Sequence, residues 1–136
     1  MKRDPMPDET ATMQIGELAE RTEMSLRTIR HYDEVGLLTP SGRSEGGFRL
    51  YTHDDYLRLM VIRRMKPLGF SLDEMAELLR VVDALDGGAD DGDGRGQATR
   101  ASLAAFIDET VERRAKLERQ LAMADEFLEL LRARLG

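Results

Sequence analysis

The sequence predicts a mainly α-helical chain: a winged helix-turn-helix of four helices with a two-stranded wing, followed by one long coiled-coil dimerisation helix. Three observations lead there. Two short helical patterns, one around Ile15, Leu18 and Ala19 and one around Leu26 and Ile29, are joined by a turn of about three residues. A basic, glycine-rich stretch runs into the alternating segment Phe48-Arg49-Leu50-Tyr51. Near the end, apolar residues from Leu103 to Leu135 step alternately by four and three.

Taken in order, residues 1–12 mix two prolines with charge and small polar side chains and read as a disordered tail. Helical spacing begins at Met13 and holds to Thr22. Ser25 then stands as N-cap of a second helix, which Gly36 can stop by taking a left-handed conformation. Leu37-Leu38-Thr39, a turn-rich stretch 40–47 and the segment 48–51 form a small hairpin, the wing. Thr52 caps a third helix with Leu57, Met60, Val61 and Met65 expected inward, and Pro67 and Gly69 end it. Ser71 with Glu74 is a capping-box signature for a fourth helix, with Leu72, Met75, Ala76, Leu78, Leu79 and Val82 inward. The expected organisation is therefore a tail at 1–12, a winged helix-turn-helix at 13–82, a flexible Gly/Asp-rich loop at 83–98 and a helix at 99–136.

The last helix carries Leu103, Ile107, Thr110, Arg114, Leu117, Leu121, Ala124, Leu128, Leu131 and Leu135 in heptad rhythm. A stripe of this length has no core of its own to cover it, so a second copy of the chain is the expected partner. Leu103, Ile107, Leu117, Leu121, Leu128, Leu131 and Leu135 are the candidate dimerisation residues.

Composition narrows the function. The 136 residues are 41% hydrophobic and 34% charged, as suits a core with a well-solvated surface. No apolar run approaches the roughly 18 residues of a membrane span, and the first 12 residues lack a secretory apolar stretch, so a cytoplasmic, nucleoid-associated protein is expected. There is no cysteine, which removes disulfides, thiolate metal sites and thiol redox sensing. The formal net charge is −6, yet residues 25–66 carry eight Arg or Lys against five Asp or Glu, a local net of +3. For a surface that neutralises phosphate, this local balance is the one that matters.

Within the second helix, Leu26 and Ile29 are expected inward, while Arg27, Thr28, Arg30 and His31 project from the first turns. A guanidinium's planar fork can pair bidentately with guanine or phosphate, so these positions suit major-groove contact. No acid–base–nucleophile grouping accompanies His31 and His53, and enzyme function has no support. Asp83, Asp86, Asp90, Asp91 and Asp93 lack the order of a calcium loop and read as solvated linker; no metal or cofactor is expected.

The runs Ile15-Gly16-Glu17-Leu18-Ala19, Ser25 to Leu38, Arg43 with Gly47-Phe48-Arg49-Leu50-Tyr51, and Leu68-Gly69-Phe70-Ser71-Leu72 together resemble the DNA-binding domain of MerR transcription regulators. The resemblance covers residues 13 to about 79, and the final helix is similar to the family's dimerisation helix in position and period. It implies that Arg27, Thr28, Arg30, His31 and Tyr32 contact DNA from the recognition helix, Arg43 and Arg49 from the wing, and Lys66 at a phosphate. The family usually has two adjacent tyrosines where this chain has His31-Tyr32; an imidazole can still donate to phosphate, with a pH-sensitive contact. For Tyr32 and Tyr51, packing with only the hydroxyl exposed is the other reading.

The resemblance further implies a homodimer, paired through antiparallel long helices, on a pseudo-palindromic promoter site in double-stranded DNA. There it would bend and untwist the DNA so that RNA polymerase engages both promoter elements. Such deformation costs on the order of 1–6 kcal/mol, which contacts must offset and an effector can shift. Metal-sensing relatives use cysteines near the start of the dimerisation helix, absent here, and with the sequence stopping at Gly136 no separate ligand domain is expected. The effector is therefore expected at the dimer interface or to be another protein. Two other readings stay open: repression or a protein-binding coiled coil, and small-molecule capture at Met123, Phe106 and Phe127.

Overall fold

The computed structural model describes residues 12–38, 42–87 and 95–136. The elements run β1 (Thr12–Met13), α1 (Ile15–Thr22), α2 (Leu26–Glu34), β2 (Tyr51–Thr52), α3 (His53–Met65), a 3-10 turn (Lys66–Leu68), α4 (Leu72–Asp86) and α5 (Arg95–Leu135). The mainly helical architecture read from the sequence is the one observed. The chain divides into two units, one ending at Leu79 and one covering Arg80–Gly136.

The first unit is organised by helix ends. Helix α1 closes on Glu23, which adopts a left-handed conformation (φ 56°), and the amides of Glu23 and Met24 donate to the carbonyls of Glu20 and Ala19. A non-glycine residue there costs about 1–2 kcal/mol. Glu23 also receives Arg63 of α3 at 3.1 Å, a contact that links the turn to the third helix. Three residues later α2 begins: the Ser25 hydroxyl accepts the Thr28 amide at 3.0 Å. Gly36 (φ 85°) stops α2, and the Leu37 amide donates to the Tyr32 carbonyl at 2.9 Å.

The wing closes at the bridge between Arg43 and Arg49, with the Ser44 amide donating to Phe48 at 2.7 Å and the Leu50 amide to Gly42 at 3.0 Å. Gly47 turns the chain at φ 82°. Tyr51, read as the end of the wing strand, instead pairs outside the hairpin: Met13 faces Tyr51 and Thr12 faces Thr52 in a two-stranded antiparallel ladder. Thr12, assigned to the tail, is therefore a strand residue. Its ladder partner lies 40 positions along the chain, beyond the reach of any local pattern.

In α3 the Thr52 hydroxyl accepts the Asp55 amide at 3.2 Å while the Asp55 carboxylate accepts the Thr52 amide at 2.9 Å, a complete capping box. The core face of α3 is Asp55, Leu59, Ile62 and Met65. Of the four residues expected inward only Met65 is buried, and Leu57 is 49% exposed. Apolar residues at 57, 59, 60, 61, 62 and 65 surround this helix almost completely, so periodicity cannot choose a face; the packing of α1 and β2 against α3 chooses it. Ser71 and Glu74 form the expected box at the start of α4, with bonds of 3.1 and 2.8 Å. Met75 and Leu79 are buried, whereas Leu72, expected inward, is exposed.

In the second unit, helix covers more of the chain than the sequence suggested. Helix α4 continues through Asp86 and α5 starts at Arg95, so residues 83–86 and 95–98 belong to helices and not to the expected loop. The residues between, with Asp90, Asp91 and Asp93, lie outside the described residues, as do the tail at 1–11 and Thr39, Pro40 and Ser41. At 41 residues α5 is roughly 60 Å long. Leu103 is half-buried; Ile107, Leu117, Leu121, Leu128, Leu131 and Leu135 are all exposed. The two polar seam positions are satisfied within the helix: the Thr110 hydroxyl donates to the Phe106 carbonyl at 2.7 Å and Arg114 pairs with Glu118 at 2.5 Å. No helix among the described residues is long and apolar enough to cross a membrane.

Candidate nucleic-acid interface

Helix α2 buries Ile29 and Tyr32 and turns Arg27, Arg30 and His31 outward. The spacing explains the split: Ile29 and Tyr32 are three apart and share one face, while Arg27, Arg30 and His31 share another. Among the described residues neither Arg27 nor Arg30 has an ion-pair partner, so both charges are available. Thr28 is half-buried and its hydroxyl receives the Ser25 hydroxyl at 2.8 Å, which commits it to the helix start. Two expectations need correcting. Leu26 is exposed at the helix's first position instead of packed inward, and Tyr32 is 2% exposed, a core side chain and not a free contact residue. Position 32 lies one turn from Ile29 on the buried face, and packing claims it.

The wing stands beside α2. Arg30 and Glu34 of α2, Gln14 before α1, and Arg43, Phe48 and Arg49 of the wing line an open cleft of about 410 Å³. Arg43 is exposed, its Nη1 donating to the Gly47 carbonyl at 3.0 Å, which leaves its other donors available. Phe48 stands out from the hairpin, 62% exposed, and its ring packs close to Gly46, where a Cβ would lie 3.2 Å from it. Lys66 is exposed in the 3-10 turn after α3.

Arg49 is differently placed. Its Nε lies 2.5 Å from Asp33 Oδ2, a charge contact without hydrogen-bond alignment, and both side chains are largely covered. The Tyr51 hydroxyl donates to the same oxygen at 2.8 Å, and the Arg49 guanidinium carbon sits 5.4 Å from the Tyr51 ring centre. Asp33 was not among the residues singled out from the sequence. Its partners are 16 and 18 positions away, and an acid at the end of a basic helix gives no local sign of them.

Burial, reinforced by the hydrogen bond to Asp33 and its charge, pushes the Tyr51 phenol up to about 12 from 10.0, with Arg49 opposing. A raised folded-state pKa means the protonated phenol stabilises the fold fully below pH 10, and that contribution is lost as pH climbs from 10 toward about 12. In an ultraviolet titration, one of the three tyrosines should ionise about two pH units late, and Tyr51→Phe should remove that phase. A late phase that persists in the variant would contradict the assignment.

Comparison with known proteins agrees with this geometry. The family described as MerR HTH family regulatory protein matches residues 13–81, and that described as MerR, DNA binding matches residues 56–134. The chain is 48% identical over 67 residues to the HTH-type transcriptional regulator ZntR of Escherichia coli K12, covering 49% of this chain and 48% of that protein. It is 45% identical over 69 residues to the mercuric resistance operon regulatory protein of Bacillus cereus, covering 51% and 52%. The chain thus spans about half the length of the curated relatives it matches. Among solved structures, the lead(II) complex of the transcription regulator PbrR691 from Ralstonia metallidurans CH34 is 35% identical, with TM-score 0.50, covering 80% of this chain and 82% of that one. With one match on the helix-turn-helix and its wing and a second running through α5, the chain belongs to the MerR family of helix-turn-helix regulatory proteins.

Proposed function

We infer that this chain is a sequence-specific, DNA-binding transcription regulator acting as a homodimer on a pseudo-palindromic promoter site, where it bends and untwists the DNA for RNA polymerase. The observation that carries the reading is the outward set Arg27 and Arg30 on α2, without an ion-pair partner among the described residues, beside a wing that offers Arg43. Two such units at a fixed spacing would read two half-sites. Support for the homodimer is separate: the apolar stripe of α5 is exposed from Leu117 to Leu135, and a second copy supplies a matching stripe. His31 and Lys66 add phosphate donors at the edges. The structural study of PbrR691 concerns lead(II); no lead or other thiophilic ion is carried over to these residues, which contain no cysteine.

A footprint on promoter DNA tests the reading. One protected pseudo-palindrome is expected, with affinity falling steeply as salt rises. Arg30→Ala should weaken binding to that site by roughly tenfold or more, the worth of a bidentate base or phosphate contact. An unchanged footprint would remove α2 from the interface. Equal affinity for random DNA at physiological salt would favour the second reading, in which the exposed stripe of α5 binds another protein and DNA contact is incidental.

A further inference from the structure

Asp33 stands at a position that local physics disfavours. It lies in the last turn of α2, where the helix dipole opposes a negative charge, and on an element that the proposed interface turns toward phosphate. An acid kept under two such penalties needs a compensating gain. The structure supplies one: Asp33 Oδ2 meets Arg49 at 2.5 Å and accepts from Tyr51 at 2.8 Å, so the wing's second arm, through Arg49, and strand β2 just after it, through Tyr51, converge on one carboxylate.

We propose that Asp33 is a positioning residue that anchors the wing to the recognition helix, and that Arg49 and Tyr51 serve DNA binding through Asp33 and not by touching phosphate. The proposal rests on the reading of α2 and the wing as the DNA interface. The hairpin geometry carries the anchor's effect outward. Arg49 is bridged to Arg43, and paired residues of an antiparallel ladder present their side chains on the same face. Two arginines so placed repel each other. With the Arg49 charge taken by Asp33, Arg43 remains as the wing's phosphate donor, and its backbone is held by the residue that Asp33 holds.

The two roles for Arg49 predict opposite signs for one substitution. If Arg49 touches phosphate, Asp33→Asn removes a repelling charge and frees the guanidinium, so binding to a duplex carrying the footprinted site should tighten. If Asp33 is the anchor, the same variant leaves the wing to be ordered on binding and weakens affinity roughly tenfold.

The salt dependence gives a second readout that general destabilisation does not move. The charge-neutral pair Asp33→Asn with Arg49→Gln should weaken binding with the slope of log affinity against log salt unchanged, while Arg43→Gln lowers that slope by about 0.9. Should Asp33→Asn fail to fold, Tyr51→Phe, which deletes one hydroxyl from the same anchor, is expected to weaken binding a fewfold. It should also speed hydrogen exchange at the Ser44 and Leu50 amides. Tighter binding by Asp33→Asn, a slope lowered by about 0.9 in the neutral pair, or wild-type affinity in Tyr51→Phe overturns the proposal. If Arg30→Ala and Arg43→Gln both bind like the wild type, the interface reading itself is what fails.

Discussion

A chain carrying Leu121→Asp and Leu128→Asp should be monomeric in sedimentation and should bind the footprinted site about 100-fold more weakly or worse, with its first unit still folded. Both leucines lie on the stripe of α5, exposed at 65% and 42% and seven residues apart, so the two carboxylates would stand on the same face of the helix, within the proposed seam. Burying unpaired carboxylates there costs far more than the dimer gains from two leucines. Loss of the dimer removes the second recognition helix from the complex, and linked modules gain on the order of 10²–10⁴ in avidity over single ones. Helical content measured by circular dichroism should also fall, because a helix this long relies on packing of its apolar face for most of its stability. A dimer of undiminished stability in this variant would place the interface elsewhere.

Leu59→Ala should destabilise the first unit by about 2–5 kcal/mol, read as a lower midpoint in chemical denaturation with an unchanged slope. Leu59 is fully buried on the face of α3 that also carries Ile62 and Met65, where α1 and β2 pack. Truncation there loses transfer energy and leaves a cavity that the surrounding helices cannot fully close. Leu57, two positions earlier, is 49% exposed and the same truncation should cost well under half as much. Equal losses at the two positions would show that the core face of α3 is misassigned. Since a domain of this size has a total stability of order 5–15 kcal/mol, Leu59→Ala alone would bring it near the threshold for unfolding.

The pair also marks how far the sequence could be read. Helix ends were legible because their signals are local: Ser25, Thr52 and Ser71 cap the helices that they were expected to cap, and Gly36 and Gly69 stop the chain where left-handed geometry is needed. Exposure of Arg27, Arg30 and His31 was legible from spacing with Leu26 and Ile29 as the inward pair, although only Ile29 of the two packs inward and Tyr32 completes the buried face. The inner face of α3 was not legible. Its apolar residues surround the axis, and the face that packs includes an aspartate, Asp55, whose charge is spent on the capping box. The helices extend into the Gly/Asp-rich stretch expected as a loop at 83–98 because glycine and aspartate lower helix propensity without forbidding a helix.

What the sequence determined by itself is the order and type of the elements, the family, and the basic face of α2. These depend on contacts within about four residues, or on several motifs recurring in fixed order. Tertiary structure decided which partner each strand takes and what each arginine does. Met13 reaches Tyr51, and Asp33 gathers Arg49 and Tyr51, across 38, 16 and 18 positions respectively. A guanidinium in a sequence is a charge with no direction. Whether it faces phosphate, as Arg43 can, or is neutralised by a carboxylate, as Arg49 is, depends on which side chains the fold brings within a few ångströms of it.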